Sequence, residues 1–369
     1  MQSVSDDFIA ACRRGGTVVS KVEAWHAGSQ MALDTDDGNV PILAGSVTDD
    51  ATRPGVRRTL NLTTTSDIWD DLNTAGVTLK PYRGWRYTDG TTEYAQLGVF
   101  TVDAARRKYA HSATDEMTLT CPDQWAIVQR SRFEAPRAGN GNAVTQSVSW
   151  ITECFTSAPS TSITATSTVS VTDQIYDRDR SQAIVDIAKA AAFDVSFGST
   201  GLVVARPLPS IDDAVVWTAN SGELGVLIEA NRERSVQRVY NVVVVSGQDV
   251  DGSPPFAPVI LADTDPASPT YVGTLGRIPY FFESALLLDT TQALAAARTI
   301  YERVRLPAQQ MSFTQTVNAA LETGDVVQVV LPDGIIERHL LERIDTPLTV
   351  DGTQTITARS TRAEDDAGG

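Results

Sequence analysis

Three histidines, three cysteines and 46 acidic residues are what this chain of 369 residues offers for chemistry, and their spacing leaves them little to do. A metal site needs nitrogen or sulfur ligands at short intervals. His26, His111 and His339 each stand alone, with no second His or Cys at such an interval, and each is expected to be a strand or surface residue. Cys12, Cys121 and Cys154 are odd in number and far apart, so they imply neither a disulfide framework nor a zinc knuckle. They fit folding in a reducing cytosol. No Gly-x-Ser-x-Gly elbow presents a nucleophile, and no glycine-rich phosphate cradle occurs. "DTDDGN", Asp34 to Asn39, has the composition of a calcium loop, but its glycine falls one residue early and no glutamate follows at ligand distance. A hairpin tip is the expected role. "DVDGS" at Asp249 and "DTDPAS" at Asp263 read as solvated loops. Glycoside hydrolysis needs two carboxyls facing one cleft, and among so many acids no pair is singled out. The residues specify no catalytic, cofactor-binding or metal site, and an enzyme is not expected.

The acid surplus bears on partners instead. Phosphate binding rests on clustered Lys and Arg, and a formal charge of -16 with a pI near 4.6 speaks against a nucleic-acid-binding surface. An apolar fraction of 42% and a charged fraction of 21% are those of ordinary folded domains. The length asks for two or three of them. No basic region followed by an apolar run opens the chain, and no window reaches the roughly 18 apolar residues of a membrane span. Neither a signal peptide nor a membrane anchor is expected.

The elements that would position any site are mostly short strands. "SDDFIAACRRGG" is predicted to be a helix, capped by Ser5, with Asp6 and Asp7 in its first turn, Arg13 and Arg14 in its last and Gly15 as its stop. Five or six strands follow, rich in β-branched residues and bounded by Gly, Pro, Asn or Asp, as in a small antiparallel barrel. Met117, Leu119 and Cys121 alternate with Thr118 and Thr120 and should face a core, and "TDGTT" around Gly90 should turn a hairpin. From about residue 126 the pattern changes. "NAVTQSVSWITECF" reads as a helix and "TSAPSTSITATSTVSVT" as a low-complexity loop. "DRDRSQAIVDIAKAAAF" reads as a helix capped by Asp177 or Asp179 with Ile184, Ile187, Ala188 and Ala191 inward, and "FDVSFGSTGLVVARP" as a hairpin turning at Gly198 to Gly201. In the last region "SVQRVYNVVVVSGQ" reads as a long strand, and "DVDGSPPFAPVILADTDPASPT" as a mobile surface loop. "DTTQALAAARTIYERVRLP" is the strongest helix, capped by Asp289 or Thr290, striped by Leu294, Ala297, Tyr301 and Val304 and ended by Pro307.

These patterns give a mainly β fold with an α+β insert: two small antiparallel β-barrel domains and a helix-and-hairpin domain between them. The expected units are residues 1–125, 126–208 and 209–362, with the helix at 290–305 in the third and a disordered tail at 363–369. The barrels look like duplicates. "GVTLKPYRGWRYTDGTTEYAQLGVFTVDAARR…DEMTLTCPD" and "GDVVQVVLPDGIIERHLLERIDTP…GTQTITARS" share one order: Gly, strand, Asp-Gly turn, a strand carrying an Asp, and an alternating Thr-rich strand. Asp103 and Asp345 are expected at equivalent places.

"VSDDFIAACRRGGTVVSKVEAW", "YRGWRYTDGTTEYAQLGVFTVD" and "ETGDVVQVV", in this order along nearly the whole chain, resemble the minor tail proteins of long-tailed phages of actinobacteria. These are related to baseplate and tail hubs and to the hub part of type VI spike proteins. The resemblance implies a structural virion protein at the tail tip, made in the host cytoplasm and assembled as a homotrimer with two tail-hub barrels per chain. Six barrels in a ring would join the sixfold tail tube or distal tail protein to a threefold spike or fibre, beside the tape measure protein. DNA would pass only in transit, through a lumen lined by acids, with Arg-rich stretches such as "RERSVQR" and "ARRK" turned away or placed between chains. Because the chain ends at "AEDDAGG", any lytic or adhesive work is expected of another protein. The alternative is a receptor- or carbohydrate-binding β protein of the tail tip that uses Trp85, Tyr87 and Tyr94 as a platform.

Overall fold

A computed structural model describes residues 1–72, 75–108, 115–172, 174–222, 225–234, 240–248, 255–268, 270–304 and 309–360. His111, Asp249, Pro307 and the tail at 363–369 lie outside the described residues. The fold is mainly β, with antiparallel sheets and a few helices.

The first region opens with α1 (Asp6–Arg14), where the Ser5 hydroxyl accepts the Phe8 N–H at 3.1 Å and Gly15 ends the helix at φ 79°. Strands β1 (Thr17–His26), β2 (Ser29–Gln30), β3 (Ala44–Asp50) and β4 (Arg58–Thr65) precede the short helix α2 (Trp69–Leu72). Then come β5 (Thr78–Arg86), β6 (Thr92–Gln96), β7 (Phe100–Thr101), β8 (Ala104–Lys108) and β9 (Glu116–Pro122). Met117, Leu119 and Cys121 of β9 are buried and their neighbours Thr118 and Thr120 exposed, as the alternation predicts.

A second core belongs to the middle of the chain. It is built from α3 (Trp125–Arg130), β10 (Arg137–Ala138), α4 (Ala143–Thr152), β11 (Thr161–Ile163), β12 (Ile175–Tyr176), α5 (Arg180–Ala190), β13 (Phe193–Phe197) and β14 (Val203–Pro207). Asp179, not Asp177, caps α5 by accepting the Gln182 N–H at 2.9 Å. Trp150 anchors this core, with Phe133 and Tyr176 edge-on to it, both at 5.0 Å between centroids. The Ser/Thr-rich stretch is more than a loop, because β11 adds to the β13–β14 hairpin as a parallel strand.

The last region contains β15 (Val215–Asn220), β16 (Leu227–Arg234), β17 (Val242–Gly247), β18 (Val259–Ala262), α6 (Val272–Leu275), β19 (Pro279–Ser284) and α7 (Thr290–Val304). It closes with β20 (Gln309–Gln315), β21 (Val326–Val330), β22 (Ile336–Pro347) and β23 (Gln354–Ser360). Asp289 caps α7, accepting the N–H groups of Thr291 and Gln292 at 2.8 and 2.9 Å. Its buried stripe is Ala293, Ala296, Ala297 and Tyr301, with Leu294 only half-buried, and it packs on β17 and β18 as a third small core. Of the expected long strand, β17 is the described part. The Pro- and Asp-rich excursion departs from expectation. Val259 to Ala262 form β18, paired with β17, and Asp263 is buried, accepting the hydroxyls of Ser268 and Thr270 at 2.5 Å each. Pairing to β17 and the packing of Phe256, Val259 and Leu261 attach the described part of the excursion to the third core.

The first and last regions repeat one arrangement. In the first, the pairing order runs β1, β5, the interrupted run β6–β7–β8, β9, β4, β3. In the last it runs β15, β21, β22, β23, β20, β16. The order along the chain also matches, with β17 to α7 inserted between β16 and β20. One pairing differs: β1 lies antiparallel to β5, whereas β15 is parallel to β21. Glycines with φ of 87° and 88°, Gly76 and Gly324, precede β5 and β21. The turns agree in detail. Tyr87 N–H bonds Thr91 C=O at 2.9 Å and Gly90 N–H bonds Tyr87 C=O at 3.0 Å; Leu331, Ile335 and Gly334 repeat both bonds at the same lengths. Gly90 and Gly334 both take φ 87°, a conformation that costs a glycine nothing.

The inward pairs fix the equivalence. Leu60 opposite Cys121 and Leu62 opposite Leu119 correspond to Met311 opposite Ala358 and Phe313 opposite Ile356. Ala105 faces Leu119 and Ile344 faces Ile356, so Arg106 corresponds to Asp345. Asp103 does not. The expected Asp103–Asp345 equivalence fails by three residues, because residues 97–99 interrupt the first repeat where β22 runs on.

The repeats also join each other. β22 pairs β3 from Arg343↔Asp50 to Pro347↔Ser46, which makes one ten-stranded sheet, and a single core runs from Phe8 to Ala358.

Candidate functional site

The residues singled out for chemistry are dispersed. His26 is exposed at the end of β1. His339 is buried in β22 with its Nε2 3.2 Å from a Glu337 carboxylate oxygen, and Arg232 bonds the same carboxylate at 2.7 Å. The His339 hydrogen bond and Arg232 hold Glu337 below the usual carboxylate range against the opposing effect of burial. Asp34 to Asn39 close on themselves: Thr35 Oγ1 bonds Asn39 C=O at 2.8 Å and Asn39 N–H bonds Asp37 at 3.0 Å. The loop links β2 and β3, which lie in different sheets, so it is not a hairpin tip. Among the described residues no three His, Cys, Asp or Glu are grouped as a metal site would require. Burial pushes the thiols of Cys12 and Cys121 up to about 11 and about 12, which leaves them protonated and unreactive. Of the aromatics, Trp85 is buried in the main core. Tyr87 is half-buried and donates to Glu93 at 2.7 Å, and Tyr94 lies edge-on to Tyr82. They form no exposed platform.

What the fold does assemble is a buried polar junction where the two repeats meet the middle unit. Arg58 of β4 lies on the inward face with Leu60 and Leu62. Its guanidinium reaches Asp49 of β3 at 3.0 Å and Glu322, just before β21, at 2.9 Å. Asp49 also accepts the N–H and hydroxyl of Thr323 at 3.3 and 3.0 Å. Arg57 turns the other way and forks onto Asp194 of β13, which Arg206 of β14 bonds at 3.1 Å. Arg206 also donates to Thr323 C=O at 3.0 Å. Asp123 accepts the backbone N–H groups of Arg57, Arg58 and Trp125 at 3.1, 2.9 and 2.9 Å.

Burial and pairing compete at Arg58, Asp194, Glu322 and Asp123. Burial opposes the charge of Arg58, yet Asp49 and Glu322 raise its pKa above the ordinary value. Burial also opposes ionisation of Asp194 and Glu322, but Arg57 and Arg206 for the first, and Arg58 for the second, hold both below the usual range. At Asp123 burial wins over its three N–H bonds and Arg58, and the carboxyl is pushed up to about 6. Here acids are matched to guanidiniums, and the Thr323 hydroxyl donates to Asp49, a carboxylate that Arg58 already pairs. Such an arrangement holds parts in register.

A second feature faces outward. β18, β17 and β19 form a three-stranded sheet, and across it Ile260, Val244 and Phe281 share one row. Ile260 is 58% and Phe281 72% exposed, while the opposite face packs on α7. Both of these side chains lie in solvent. Phe281→Ser is therefore expected to change unfolding stability by less than about 0.5 kcal/mol, as measured by a urea titration.

The fold with its repeated unit can be set beside solved structures. The tail protein of Neisseria meningitidis MC58 matches with a TM-score of 0.65 and 13% identity over 92% of this chain and 96% of that one. The 43 kDa tail protein of prophage MuSo2 from Shewanella oneidensis matches at 0.62 and 11%, covering 94% and 99%. Prophage tail protein gp18 from Listeria monocytogenes matches at 0.59 and 13%, covering 93% and 95%. The fold is that of phage tail proteins. No protein-family profile matches the sequence, and no curated protein does. At these identities the likeness lives in topology, and most side chains on the surface are this chain's own.

Proposed function

We propose that the chain is the subunit of a homotrimeric hub at the tip or baseplate of a phage tail. The observation that carries this reading is the repeated six-strand arrangement. Three chains carry six copies of it, which suits a ring set against a sixfold tail tube or distal tail protein on one side and a threefold spike or fibre on the other. The junction around Arg58 holds the two copies of each chain rigidly, as a ring under load needs. The Ile260–Phe281 row offers a contact to a neighbouring tail component, and Phe281→Ser should reduce incorporation into tails while the isolated protein folds normally.

The charge fits the same role. DNA leaving the virion passes the hub, and acids along the lumen repel it, although at physiological salt this reaches only about 8 Å. The hub itself works by position, with lytic work left to other chains. The test is the mass of the purified protein in solution. Three chains per particle support the reading, and a particle of one or two chains at every concentration overturns it. Soluble fragments released from host cell wall by this protein, and lost on a point substitution, would overturn the non-enzymatic part.

A further inference from the structure

We propose that β16 of one copy pairs antiparallel with β8 of the next, with Glu233 opposite Arg106, and that this strand pairing closes the ring. The inference rests on the trimer reading and names the contact that would build it. The main path of the ten-stranded sheet runs β16-β20-β23-β22-β3-β4-β9-β8, with β21 and β15 branching off at β22, so the two ends of that path are β16 and β8. Both are open to solvent. Ile228, Glu229, Asn231 and Arg232 of β16 are exposed, as are Ala104, Arg106 and Lys108 of β8. An uncovered edge of paired backbone is a template for another strand.

The chain already contains the matching contact in cis. Where repeat one meets repeat two, β3 pairs the second half of β22, and the Thr48 hydroxyl bonds Asp345 at 2.5 Å. β3 is the repeat-one counterpart of β16, and β8 is the repeat-one counterpart of the second half of β22. The free strands are thus the same two kinds of strand, left unjoined at opposite ends of the sheet. In a ring of alternating repeats every junction should be of one kind, three within chains and three between them. A contact joining two different surfaces is heterologous, and such a contact closes into a ring when its rotation returns to the first copy.

The cis register transfers residue by residue. Val47 faces Leu60 and Arg232 faces Met311, so Arg232 corresponds to Val47 and Glu233 to Thr48. Arg106 corresponds to Asp345. Thr48↔Asp345 in cis becomes Glu233↔Arg106 in trans, residues of opposite charge, and Ser46↔Pro347 becomes Asn231↔Lys108. Arg232 would face Arg107, but each is already paired in its own chain, with Glu337 and Asp115. A short basic edge strand resists indiscriminate pairing. An acid at the matching position of the incoming strand makes that resistance selective.

The test uses the full chain. Asn231→Cys combined with Lys108→Cys should, on oxidation, give covalent trimers in a denaturing gel, and neither substitution alone should. The two positions sit at opposite ends of one sheet, so a cross-link between them joins chains. Arg106→Glu should shift the solution mass from three chains to one, and adding Glu233→Arg should restore three. Arg106 is exposed, so a circular dichroism spectrum should show the variant folded. Trimers that neither cross-link at this pair nor respond to Arg106→Glu would overturn the contact and leave the hub reading standing. A wild-type protein that stays a single chain would overturn both.

Discussion

Replacing Arg58 with alanine is expected to lower stability by about 3–5 kcal/mol, the usual cost of breaking a buried ion pair from one side. The guanidinium is 8% exposed and links Asp49 in the first repeat with Glu322 at the edge of the second. Without it, both carboxylates keep their burial and lose the charge that offsets it. A typical domain holds about 5–15 kcal/mol in total, so the variant should unfold at a clearly lower denaturant concentration. The slope of the transition should stay the same, since the surface exposed on unfolding hardly changes. Arg58→Met, which fills similar space, should lose nearly as much, because the missing element is charge. A loss under about 1 kcal/mol for both would mean that water reaches the junction.

The second large effect is a stability that rises on mild acidification. Asp123 has a folded pKa of about 6 against 3.8 for an ordinary aspartate. Between those values the folded chain holds a proton that the unfolded chain lacks, so this residue's contribution grows as the pH falls from about 6 to about 4. The full difference corresponds to about 3 kcal/mol. Asp194 and Glu322 act in the opposite sense. Their folded values lie below the ordinary 3.8 and 4.5, so their contribution is complete above those values and lost as the pH falls through the lower folded ones. Stability should therefore peak in mild acid and fall steeply below it. Asp123→Asn should be weaker in mild acid, because one of the two oxygens that accept the three N–H groups becomes an NH2 donor, and the rise between 6 and 4 should vanish with it. Urea midpoints measured across that range would decide, and a variant that keeps the rise would assign it to another group.

Much of the fold was legible because its elements are local. The cap at Ser5, the alternation at Met117 to Cys121, the turn at Gly90 and the helix after Asp289 are each set by neighbours a few residues away. The duplication was legible for the same reason: Asp-Gly turns and flanking glycines sit at matching places. Errors came where long-range pairing decided. Nothing near Thr161 or Val259 says that a strand from elsewhere will take it up, and composition alone made both stretches look like loops. The offset of Asp103 came from the interruption at residues 97–99, which motif spacing could not register.

The polar junction was missed although one signal was present. Arg58 falls in step with Leu60, Leu62 and Thr64, so the alternation that marks the strand's core face also puts an arginine on it. A buried arginine must be paired, and that reasoning calls for acids nearby. Asp49 faces it across the β3–β4 pair, but Glu322 lies 264 residues away, and its arrival depends on the meeting of the two repeats and could not be read locally.

The measurement closest to the central claim is an end-on image of the purified assembly by electron cryomicroscopy. A hub built as proposed should show a ring of six lobes at low resolution, which separate into two alternating kinds, giving threefold symmetry and three chains. A ring with any other number of chains, or particles in which the two repeats do not lie on one circle, would contradict it.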